Sequence, residues 1–60
     1  MLCHYAEITY PDGDYGTHKY WGHTDESAID VARKGKGEAS VTLYRYLQGE
    51  TGELVLVAKL

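Results

Sequence analysis

Only one stretch of this chain repeats its apolar residues at helical spacing: Ala28, Ile29, Val31 and Ala32. Elsewhere the apolar positions alternate with period two, as strands do when one face meets a core. Such a pattern builds a sheet and lays a single helix across it. The sequence therefore predicts an α+β fold in the order β-β-α-β-β: a small four-stranded antiparallel sheet with one helix packed on one face. Sixty residues make one such domain, spanning 1–60.

In the first strand Leu2, Ala6, Ile8 and Tyr10 share one side, and Cys3, Tyr5, Glu7 and Thr9 the other. Pro11-Asp12-Gly13 reads as a tight turn, with φ preset by proline and positive φ open to glycine. The chain should return through Thr17–Trp21. That hairpin's register is open, because Asp14-Tyr15-Gly16 suits either loop or strand. Thr24 is an N-cap, followed by Asp25 and Glu26 at the positive end of the helix dipole. Arg33 and Lys34 complement the other end, and Gly35 or Gly37 supplies a left-handed stop. A long strand over Glu38–Gln48 places Ala39, Val41, Leu43 and Leu47 on one face with Arg45 among them. Ser40, Thr42, Tyr44 and Tyr46 take the other face. After the turn Gly49-Glu50-Thr51-Gly52, a closing strand over Glu53–Leu60 alternates Leu54, Leu56, Ala58 and Leu60 with Val55, Val57 and Lys59.

That closing strand is apolar on both sides, which normally means burial on both. One helix of about ten residues covers only part of one face. With Leu2, Ala6, Ile8, Val41, Leu43 and Leu47 turned toward it, the opposite face is expected to carry Tyr5, Tyr44, Tyr46, Val55 and Val57. Six tyrosines and no phenylalanine suit a surface where rings keep one end wet. A second copy in a homodimer, a protein partner, or the rings themselves would cover it.

Chemistry is sparse by comparison. Cys3, His4, His18 and His23 are the only metal-like set, but adjacent Cys3 and His4 point to opposite faces of a strand. Ser27 and Ser40 lack a nucleophile elbow, and the glycines do not form a phosphate loop. No catalytic residue, metal or cofactor is expected. Arg33, Lys34 and Lys36 form the best basic patch, and Asp25, Glu26 and Asp30 an acidic helix face. A net charge of −3 argues against non-specific nucleic-acid or anionic-membrane binding. No apolar run approaches the ~18 residues of a membrane span. A lone cysteine without a signal-peptide pattern suits the cytoplasm.

These features point to a small non-enzymatic protein-binding domain. Taken as an intact frame from Met1, acidic and without catalytic residues, it is similar in character to the inhibitors that phages and mobile elements encode. These sterically block host proteins, among them nucleic-acid-handling ones that a phosphate-mimicking acidic face would suit. The alternative is a small nucleic-acid-binding protein that stacks bases on Tyr44 and Tyr46 beside the basic patch.

Overall fold

The computed structural model describes residues 2–60. Strand β1 spans Cys3–Thr9, β2 Tyr15–Trp21, helix α1 Asp25–Arg33, β3 Ser40–Tyr46 and β4 Leu54–Lys59. They form one antiparallel sheet in the order β2-β1-β3-β4, with α1 on one face. Because β2 and β3 both pair antiparallel with β1, they run parallel to each other. Such a connection has to cross over the sheet. Helix α1 makes that crossing and packs on the two central strands, β3 and β1.

The helix start follows its sequence. The Ser27 amide donates to Thr24 Oγ1 at 3.1 Å, and the Thr24 amide donates to Ser27 Oγ at 3.0 Å, a reciprocal cap. At the far end Lys34 is extended, with φ −61° and ψ 127°, and Gly35 has φ +72°. Those angles, with the Lys36 amide on the Arg33 carbonyl at 3.3 Å, make a type II turn that needs positive φ at its third residue. In the first hairpin Tyr15 and Gly16 belong to the strand, so Cys3 pairs with Trp21 and Thr9 with Tyr15.

The core joins Ala6, Ile8, Ala28, Ala32, Ala39, Val41 and Leu43. Alanine supplies four of these seven positions, so the helix can sit close to the sheet. Leu43 is the largest completely buried side chain among the described residues. Tyr20, Ile29 and Val57 pack around this centre.

Two expected core leucines lie outside it. Leu2 is 44% exposed and Leu47 is 54% exposed. The nine-residue helix extends about 13 Å, and its first residue sits over the His4–Arg45 row of the sheet. Leu2 and Leu47 come one row beyond that end.

The closing strand corrects the expected facing more sharply. Leu54 pairs with Tyr46, Val55 with Arg45 and Leu56 with Tyr44, so the leucines join the tyrosines and Val55 turns to the helix side. A bulge between Leu43 and Tyr44 then inserts Val57, which packs on the core. The extra residue reverses the parity of the last strand residues, bringing Ala58 opposite Leu43 on the helix side. Among the described residues, no helix is long and apolar enough to cross a membrane.

Candidate binding face

The sheet face away from α1 can be read in rows across the strands. Trp21, Cys3, Tyr46 and Leu54 form one row; Lys19, Tyr5, Tyr44 and Leu56 form the next. Thr17, Glu7, Thr42 and Lys59 make the third. At ~4.8 Å between strands and ~3.3 Å per residue, these three rows span roughly 14 by 13 Å.

Its centre is aromatic. Tyr5 and Tyr44 are direct cross-strand partners with ring centroids 6.3 Å apart, and Tyr46 meets the Tyr5 ring edge-on at 6.3 Å. Lys19 Nζ stands 5.0 Å from the Tyr46 ring centroid and donates to the Glu50 carbonyl at 3.0 Å. Tyr15 Oη donates to Glu7 Oε2 at 3.1 Å. That bond to a carboxylate raises the Tyr15 phenol above its ordinary pKa; Tyr44 is raised mainly by desolvation. Both rings therefore stay neutral donors in ordinary buffers. Around this centre Trp21, Leu54 and Leu56 remain 48%, 38% and 56% exposed.

Of the expected face, Tyr5, Tyr44 and Tyr46 are brought together, whereas Val55 and Val57 lie on the helix side. Leu54 and Leu56 stand in their place, joined by Trp21 and Lys19. The sequence signal for Trp21 and Lys19 is their shared parity, usable only once the first hairpin's register is known. Cys3 is buried in this face, and burial pushes its thiol pKa up.

The acidic helix face divides. Asp25 turns inward: its Oδ1 accepts from His4 Nε2 at 2.7 Å and from Arg45 Nε at 3.0 Å. Both bonds, the histidine's first, hold its carboxyl below the usual carboxylate range. His4 is fully buried. A carboxylate only accepts, so the shared proton sits on Nε2, while Nδ1 is buried without a partner among the described residues. Glu26 and Asp30 remain exposed, and neither forms an ion pair among the described residues. Sequence reasoning missed the His4–Asp25–Arg45 cluster. Its signal was two polar side chains, His4 and Arg45, at core-facing parity and in need of a shared counter-charge.

The basic patch is also partly committed. Arg33 Nη1 donates to the Ala39 carbonyl at 2.7 Å and Nη2 to the Gly37 carbonyl, fastening the helix exit to the start of β3. Lys36 Nζ donates to the Lys34 carbonyl at 3.3 Å. The remaining histidines serve local packing. His23 Nδ1 bonds Ser27 Oγ at 3.1 Å, and the His18 ring lies 4.7 Å from that of Tyr20. Among the described residues, no three His, Cys, Asp or Glu side chains converge on a metal-sized site. Comparison with protein families, curated proteins and solved structures returns no match, so the character of this face rests on its own geometry.

Proposed function

We propose that the chain is a non-enzymatic protein-binding domain that docks a partner on the sheet face opposite α1. The observation that carries this is the exposure of Trp21, Leu54 and Leu56 around a tyrosine centre. Rigid amphipathic rings give contact area at low entropic cost, and an exposed tryptophan is the side chain most often found as a binding anchor. A cytoplasmic setting suits the unpaired, buried Cys3 thiol. The finer version is steric blocking of a nucleic-acid-handling protein. Its acidic helix side would rest on Glu26 and Asp30, because Asp25 is engaged inside the chain.

A second version, single-stranded nucleic acid on the same face, draws on Lys19 over the Tyr46 ring, with Lys59 on the opposite edge strand. Affinity capture from nuclease-treated extract of the source cells separates the two. A protein retained by the wild type should be lost with Trp21→Ser plus Leu54→Ser, and weaker retention with Glu26→Gln plus Asp30→Asn would add the acidic helix side to the contact. Retention indifferent to the face variant would refute the docking face. Loss on nuclease treatment, with binding that falls steeply as salt rises, would assign the face to nucleic acid instead.

A further inference from the structure

We infer that the β3–β4 turn is a releasable strap, latched by Lys19 over the Cys3–Tyr46 end of the tyrosine face. This goes beyond the docking face, because it concerns a moving part of the chain and its test needs no partner. The turn runs from Gln48 to Gly52, and the Leu47 amide closes its neck by donating to the Glu53 carbonyl at 2.9 Å. Lys19 is rooted on β2, two strands away from β3. Its Nζ nevertheless donates to the Glu50 carbonyl at 3.0 Å and stands 5.0 Å from the Tyr46 ring centroid. The Lys19 side chain therefore crosses β1 and draws the turn toward the tyrosine face.

The position beneath that crossing is sealed. Lys19 stands opposite Tyr5, and its far end lies by Tyr46 in the row of Cys3, so the diagonal between them passes on the Cys3 side. Cys3 is 1% exposed although α1 lies on the other face, while Trp21 and Leu54 of the same row stay exposed. The charges around the thiol agree with this placement. Burial raises the Cys3 pKa, the Lys19 ammonium lowers it, and the Glu50 carboxylate raises it.

The latch is weak. Among the described residues the Lys19 bond is the one hydrogen bond that ties the turn to the chain outside its own hairpin, and it is exposed to solvent. An open hollow of about 430 Å³ lies against Leu47, Gln48, Thr51, Gly52 and Glu53, so the inner side of the turn is unpacked. Gly49 and Gly52, with φ at +64° and +90°, give it a hinge at each end. Local opening of such a segment leaves the core intact. Release bares the Cys3–Tyr46 end of the face and frees the Lys19 ammonium, which pairs with no carboxylate among the described residues.

The experiment is alkylation of Cys3, the one thiol, by uncharged iodoacetamide at neutral pH, followed by mass spectrometry of the full chain. The wild-type rate should stay flat across low urea, because local opening exposes little surface. Lys19→Met keeps the aliphatic stem and removes the donor, so the rate should rise about fivefold. The sign separates the latch from charge. Lys19 lowers the thiol pKa, so losing its ammonium without releasing a strap would slow the reaction. Lys19→Arg keeps a donor and should stay within about twofold of the wild type. Circular dichroism checks the fold of each variant. A wild-type rate that climbs from the first addition of urea as steeply as global unfolding would overturn the inference, because the thiol would then react only in the unfolded chain. So would a Lys19→Met rate equal to or below that of the wild type.

Discussion

Replacing Asp25 with alanine tests the one polar cluster that reaches the core. Among the described residues the carboxylate is the sole side-chain partner of His4, which is completely buried and whose Nδ1 already lacks one. Removing it strands the Nε2 donor in a dry site, at a cost of about 1–3 kcal/mol. The Arg45 contact adds less, about 0–1 kcal/mol, because the Asp25 and Arg45 side chains are 45% and 30% exposed and solvent screens the pair. Loss of a first-turn charge adds roughly 0.3–1 kcal/mol. The expected total is about 1–5 kcal/mol, against a whole-domain stability of roughly 3–9 kcal/mol for a chain this size.

Glu26→Ala is the control. It removes a first-turn carboxylate that makes no ion pair among the described residues, so it should cost only about 0.3–1 kcal/mol. His4→Leu closes the cycle by deleting the stranded donor. On that background Asp25→Ala should cost about 1–2 kcal/mol less than it does alone. Urea unfolding followed by the fluorescence of the single tryptophan, Trp21, measures each variant. An Asp25→Ala cost equal to that of Glu26→Ala, or a cycle that closes additively, would show that His4 does not depend on the carboxylate.

Acid should destabilise the fold through the same group. The folded-state pKa of Asp25 is depressed, so the unfolded chain binds its proton more readily and stability rises with pH across that interval. The contribution is complete above the ordinary aspartate value of about 3.9 and fades as pH falls toward the folded value. Asp25→Asn should flatten the melting-temperature profile there, and an unchanged profile would assign the acid response to other carboxylates. Leu43→Ala should cost about 2–5 kcal/mol by denaturant titration, because the alanines around it have no longer side chains to refill the space. A cost under about 1 kcal/mol would mean that the helix settles onto the sheet and closes the cavity.

The order of elements and the helix ends were legible because they depend on neighbours along the chain. Thr24 and Ser27 lie three residues apart and cap each other, and the alternating residues of β1 and β3 need no distant partner to choose a side. Three tyrosines of the candidate face were legible for the same reason. Pairing across strands decided the rest. Period-two alternation in Leu54–Leu60 names two sides without saying which is which, and the hairpin register that places Leu54 beside Tyr46 settled it. The inserted Val57 then reversed the parity partway along β4, which an alternation count carries no trace of. Trp21 joined the face only through its pairing with Cys3, and Asp25 turned inward only because His4 and Arg45 lie side by side beneath the helix start. Local propensity acts over three or four residues. Burial and charge pairing are settled between segments some twenty residues apart, and those contacts exist only once the chain has folded.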